Sequence, residues 1–180
     1  GLFFKYEKDG ADVLRGLDTE LYPGEIFGLV GGNGAGKSTL LSVLCGENVP
    51  YRGFVSVRGK RKKGRFPAFE ERVGLLDQDP RTLFSSETVR EELEKAANNR
   101  DKASAGERIK AVTALMDIED ILDRNPFDLS GGEQQRTAIS TILLTEPDVL
   151  LLDEPTKGMD AGVKRALGEK LIALKNAGKA

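Results

Sequence analysis

Three groups of residues in this chain have the types and spacing to do chemistry. The first is Gly31-Gly32-Asn33-Gly34-Ala35-Gly36-Lys37-Ser38, which has the form G-x-x-x-x-G-K-S, the pattern of a loop that holds phosphate. Phosphate oxygens must approach the backbone closely, and glycine lets successive N–H groups point inward with no Cβ in the way. A helix beginning at the loop adds partial positive charge at the same place. Lys37 supplies a full charge for β- and γ-phosphates, and the Ser38 hydroxyl is a hard oxygen ligand for Mg²⁺. Gly31, Asn33, Gly34, Ala35, Gly36, Lys37, Ser38 and Thr39 are the candidate nucleotide-binding residues of this stretch.

The second group is Asp153-Glu154, two acids directly after the apolar run Val149-Leu150-Leu151-Leu152. Open α/β sheets bind ligands at the carboxyl ends of their strands. There Asp153 can hold Mg²⁺ beside Ser38. Glu154 is the candidate to orient or deprotonate an attacking water. The third group is Leu129-Ser130-Gly131-Gly132-Glu133-Gln134-Gln135-Arg136. Ser130 is a good helix N-cap, Glu133 completes a capping box, and the glycines leave backbone N–H groups accessible. Physics alone allows either a simple capped helix or a second anion site.

These groups need elements to position them. Residues 25–30 (EIFGLV) read as a buried strand entering the loop, and residues 39–45 as the helix leaving it, with Gly46 placed to end that helix. Residues 2–6 and 17–21 read as short strands, and residues 53–58 as a half-exposed one. Residues 73–76 read as a buried strand. From residue 88 to 116 the chain fits helices, with Ile109, Val112, Leu115 and Met116 on one apolar face. A helix is expected over 131–144, a central strand buried on both faces over 149–152, and a last helix over 161–175. Strands alternating with helices argue for an α/β fold with a mainly parallel sheet, an N-terminal antiparallel part and an inserted helical subdomain.

At 180 residues the chain is expected to form a single domain over 1–180, with the helical subdomain at about 79–125. A net charge of −2 gives no global pull toward nucleic acid or membrane. The basic run over 58–65 reads as a solvated loop. Cys45 is the sole cysteine, which excludes an internal disulfide and suits a reducing compartment. No apolar run approaches the ~20 residues that span a bilayer. The N-terminus lacks the arrangement of a signal peptide, and its first residue, Gly1, points to a processed or partial chain.

LSGGEQQR lies downstream of a G-x-x-x-x-G-K-S loop and just before LLLDEP. In this order the motifs resemble the ATP-binding cassette family, over essentially the whole chain. The resemblance implies a P-loop nucleotide-hydrolysing core and an ATPase that uses ATP and Mg²⁺. It also implies two cassettes paired head to tail. Ser130, Gly131 and Gly132 would then contact the γ-phosphate of ATP held by the partner cassette. Gln78, in LLDQDP, fits the family's Q-loop glutamine, which approaches Mg²⁺ and the attacking water. Tyr6 sits where the family places an aromatic that stacks on adenine, with Phe4 as the other candidate. Asp160, in Gly158-Met159-Asp160, fits the D-loop at the dimer interface, Met159 standing where leucine is usual.

The family also has a histidine beyond the next strand that contacts the γ-phosphate. This chain has no histidine. The expectation is a chain that stops before that strand and, as given, hydrolyses ATP poorly. The strings DEPTKGMDA, FFKYEKDGADVLRGLD and PFDLSGGEQQR look like the ATPase subunits of energy-coupling factor importers. That likeness implies a bacterial protein held at the cytoplasmic face of the membrane by transmembrane transporter subunits, with no nucleic-acid partner. The other reading is a soluble cassette protein acting on the ribosome or DNA. A P-loop GTPase lacks support, because there is no N-K-x-D run and LSGGEQQR would go unexplained.

Overall fold

The computed structural model describes residues 1–57, 59–61, 73–156 and 161–176. Two short strands open the chain, β1 (Leu2–Phe4) and β2 (Leu14–Leu17), which pair antiparallel with Leu2 opposite Leu17 and Phe4 opposite Leu14. Alternation sets their faces: Leu2, Phe4 and Leu14 turn inward to a small core with Leu40 and Val43. The second strand therefore lies earlier than the expected 17–21. Its pairing partner fixes it, and the local apolar pattern does not.

Helix α1 (Lys37–Cys45) follows the loop. Gly36 precedes it at φ 88° and Gly46 closes it at φ 94°, both in the left-handed region. The hairpin β3 (Ser56–Val57) and β4 (Lys60–Arg61) occupies part of the expected strand 53–58, and most of the basic run lies outside the described residues.

Strand β5 (Val73–Leu76) and strand β6 (Val149–Leu152) form the parallel ladder, in register from Val73 opposite Val149 to Leu76 opposite Leu152. Between them come α2 (Val89–Arg100), α3 (Ala105–Met116) and α4 (Gly131–Leu144). These helices build the main core with Leu76, Val89, Leu93, Met116, Ile118 and Ile139. The α2–α3 break arises at Asp101, whose carboxylate accepts from the Ser104 hydroxyl and the Ala103 N–H. Helix α5 (Ala161–Asn176) packs back through Leu167, which is 1% exposed. Val112 and Met116 are buried, and Ile109 and Leu115 pack beside them, as the apolar face predicts.

Helix α4 lies tight against β5 at Gly74. A Cβ there would stand 2.1 Å from Ile142 Cγ2, so only glycine fits.

One expected element is corrected. Residues 25–30 join no ladder among the described residues, and Ile26, Phe27, Leu29 and Val30 are exposed, Val30 by 95%. A strand exists only through a neighbour that takes up its N–H and C=O groups. The described residues offer none here, so the apolar run forms no strand.

Candidate functional site

The phosphate loop turns through Gly34 at φ 78° and Gly36 at φ 88°. Ala35 N–H donates to Gly32 O at 3.2 Å, which closes the turn. A Cβ built on Gly32 or Gly34 would meet nothing within 4 Å, so the space over these glycines is open. Gly36 is close-packed: a Cβ built on it would stand 3.2 Å from Val13 Cγ1. Lys37 Nζ folds over the loop and donates to Gly31 O at 2.9 Å and Gly32 O at 3.1 Å. The ammonium thus sits on the rim that a phosphate would occupy, held by two neutral acceptors that an anion outcompetes. Asn33 and Ser38 are exposed, and Thr39 is buried at the first turn of α1.

The two strand-end groups meet through register. Leu76 faces Leu152, so Gln78 and Glu154, each two residues further on, arrive together. Asp153 N–H extends the ladder to Leu76 O at 2.9 Å. Gln78 Nε2 then donates to Glu154 Oε2 at 2.9 Å. Asp153 is 7% exposed, whereas Glu154 is exposed and held at φ 46°. A left-handed glutamate is uncommon and aims its side chain away from the strand direction. The structure brings the two candidate catalytic groups, Gln78 and Glu154, within one hydrogen bond.

The donor set suits a hard cation. Ser38 offers an exposed hydroxyl and Asp153 a carboxylate, the oxygen ligands Mg²⁺ takes beside substrate phosphates. Among the described residues, no cluster of three His, Cys, Asp or Glu forms a dedicated metal cage.

The Ser130 capping box forms as expected. Glu133 Oε2 accepts from Ser130 N–H at 2.7 Å, and Ser130 Oγ accepts from Glu133 N–H at 3.4 Å. These bonds from Ser130, with Arg124 and Arg136 nearby, hold the Glu133 carboxyl below its ordinary value. Gly131 is exposed with open space where a side chain would be, while Gly132 lies against Val163. Tyr6 is 64% exposed, stacked edge-on to Phe4 at 5.0 Å, and its hydroxyl bonds Thr39 Oγ1 at 2.9 Å. The aromatic thus stands over the first turn of α1. Phe4 is 5% exposed and unavailable for stacking. Asp160 lies outside the described residues.

Two residues that matter were not singled out from the sequence. Arg124 donates to Glu133 Oε1 at 3.3 Å and to Asp128 O at 3.2 Å, bracing the Ser130 cap. Glu92 is 3% exposed and bonds the segment after Gln78. Helical phase could have flagged it, because positions 89, 93 and 96 share its face.

A glycine loop beside a parallel strand pair with acids at its ends fits a nucleotide-binding domain, and the chain belongs to the ABC transporter family. The family model described as ABC transporter matches residues 14–157. A putative ABC transporter ATP-binding protein of Clostridium tetani is 40% identical over 179 residues, covering 99% of this chain and 40% of the relative. The energy-coupling factor transporter ATP-binding protein EcfA1 of Halalkalibacterium halodurans is 36% identical, covering 87% of this chain and 58% of its own length. The structure of cbiO1 from Clostridium perfringens, described as part of the ABC transporter complex cbiONQ, superposes with a TM-score of 0.89 at 29% identity. It covers 99% of this chain and 72% of its own. The chain therefore spans about two fifths of the C. tetani relative.

Proposed function

We propose that this chain is the ATP-binding and ATP-hydrolysing domain of a membrane importer of the energy-coupling factor type. The observation that carries the reading is the Gln78–Glu154 hydrogen bond beside Asp153. It gathers a water-orienting acid, a polarising amide and a metal-binding carboxylate at two adjacent strand ends. The EcfA1 and cbiO1 likenesses favour the importer branch.

Phosphoryl transfer needs positioning and charge stabilisation more than covalent chemistry. Lys37 and the loop N–H groups hold the β- and γ-phosphates of ATP. Ser38 and Asp153 hold Mg²⁺, which neutralises charge on the phosphate oxygens when bound. Gln78 fixes Glu154 and the attacking water, and Glu154 accepts the water's proton. Tyr6 stacks on adenine. Asn33, Ala35 and Thr39 complete the wall of the loop.

The active unit in this reading is two cassettes, head to tail. Ser130, Gly131 and Gly132 of one reach the γ-phosphate held by the other, and Asp160 lies at their interface. The helical subdomain, about 79–125, receives the transmembrane subunits. ATP closes the pair and hydrolysis reopens it, so work is transmitted only through different affinities of the open and closed states. The domain is then peripheral to the cytoplasmic face of a bacterial membrane. Among the described residues no helix is long and apolar enough to cross a membrane.

The experiment is a gentle detergent pull-down of the tagged full-length protein, with MgATP turnover measured on the recovered assembly. Recovery of a second cassette, a polytopic membrane subunit and a small membrane-bound binder supports the reading. Recovery with ribosomes or nucleic acid alone overturns the transport half. A membrane subunit without the small binder points to another importer class.

A further inference from the structure

Glu92 is a buried carboxylate that the proposed chemistry does not use. It lies on α2, 3% exposed, among Val89, Leu93 and Ala96. Burying a carboxylate is costly unless strong donors meet it. All its recorded donors come from one short segment. Ser85 N–H donates to Glu92 Oε2 at 2.8 Å, Ser86 N–H at 2.9 Å, and the Ser85 hydroxyl at 3.4 Å. Lys95 Nζ, one turn further along α2, donates to Ser85 Oγ at 2.8 Å.

That segment is the far end of a stiff link that starts at Gln78. Asp79 accepts from Arg81 N–H at 3.0 Å and from its guanidinium at 2.7 Å. Residues Pro80–Leu83 form a tight 3-10 turn, the Thr82 hydroxyl donates back to Asp79 O at 2.9 Å, and Phe84 N–H donates to Arg81 O. Phe84 is then buried in the main core. One end of the link touches Glu154 through Gln78, and the other is fastened to α2 through Glu92. Helix α2 is itself tied onward: Val89 N–H donates to Arg124 O and Arg90 N–H to Leu122 O. Arg124 braces the Ser130 cap through Glu133.

We propose that Glu92 is a positioning residue for hydrolysis: by fastening the 79–86 link to α2, its carboxylate sets where Gln78 stands against Glu154. The proposal rests on the reading of Gln78 and Glu154 as parts of an ATP-hydrolysing site. Glu92 has no part in the proposed chemistry itself. It acts by setting where Gln78 stands.

Spatial continuity alone does not establish coupling, so the test is a double-mutant cycle. The full-length protein is assayed for MgATP turnover as wild type, Glu92→Met, Gln78→Ala and both together. The thioether keeps the length of Glu92 and removes the oxygen, Oε2, that accepts from Ser85 and Ser86. Glu92→Met alone lowers kcat by about fivefold to tenfold and changes KM less than about twofold. In the Gln78→Ala background the same change has less than about a twofold effect, because the group it positions is gone. A structural role predicts equal factors in both backgrounds, and that result overturns the proposal.

Amide hydrogen exchange on the wild-type full-length protein covers the case in which Glu92→Met does not fold. The Ser85 and Ser86 amides exchange as slowly as the interior of α2 if the clamp holds. Exchange at the rate of a free loop overturns it. Absence of turnover by the wild-type assembly sinks the hydrolysis reading and this proposal with it. Loop-rate exchange with normal turnover removes the clamp and leaves the site intact.

Discussion

Gln78 and Glu154 lie 76 positions apart and are joined by one hydrogen bond of 2.9 Å because β5 and β6 run parallel and in register. The bond leaves Glu154 exposed and oriented, as the proposed role of meeting water requires. Glu154→Gln in the full-length protein is expected to keep ATP affinity and lower turnover by about a hundredfold or more. Phosphate release beside binding of a fluorescent ATP analogue separates the two. Undiminished turnover removes Glu154 from the role of base.

Tyr6 has two jobs that can be separated. In the proposed reading its ring is the surface for the base, and its hydroxyl bonds Thr39. Tyr6→Ala is expected to weaken ATP binding by about tenfold, the scale of a lost base–aromatic stack. Binding of inorganic tripolyphosphate stays the same. Tyr6→Phe keeps most of the ATP affinity. Titration calorimetry with both ligands is the measurement, and equal losses for both would place Tyr6 in the phosphate loop's support and not under the base.

Asp79 gives a pH signature. The Arg81 guanidinium, then the Arg81 backbone N–H, hold its carboxyl at about 2 against the ordinary 3.8. The folded value lies below the unfolded one, so its stabilisation is complete above pH 3.8 and is lost as pH falls toward 2. Asp79→Asn removes that part of the acid sensitivity. Urea unfolding at several pH values between 5 and 2 checks it, and parallel curves for the two proteins would show that the Asp79–Arg81 contact does not persist in solution.

Gly74 is a packing constraint. Adding one methyl drives it into Ile142, 2.1 Å away. Gly74→Ala is expected to cost about 2 kcal/mol or more through overpacking. A denaturant midpoint reads it directly. A companion Gly74→Ala/Ile142→Ala variant, which removes the opposing Cγ2, should cost less than the sum of the two single changes.

What the sequence revealed depends on where the information sits. The ends of α4 and β6 were legible because a capping serine, a proline at 147 and a continuous apolar run mark them locally. The pairing of Gln78 with Glu154 was not, although each was singled out, because register belongs to two strands at once. Residues 25–30 have strand composition, but becoming a strand needs a neighbour that local composition cannot specify. Glu92 sits in Glu91-Glu92-Leu93-Glu94, where three carboxylates look alike and only the helical phase sends one of them inward.

The exposed run Ile26, Phe27, Leu29 and Val30 has a practical consequence. An exposed apolar, β-prone segment that joins no ladder in its own chain is a template for strands of other molecules. Concentrated solutions of the 180-residue chain are therefore expected to cloud and gain thioflavin-positive material on standing. A lysine placed at Val30, where the side chain already faces solvent, should slow that clouding without touching the phosphate loop's own side chains.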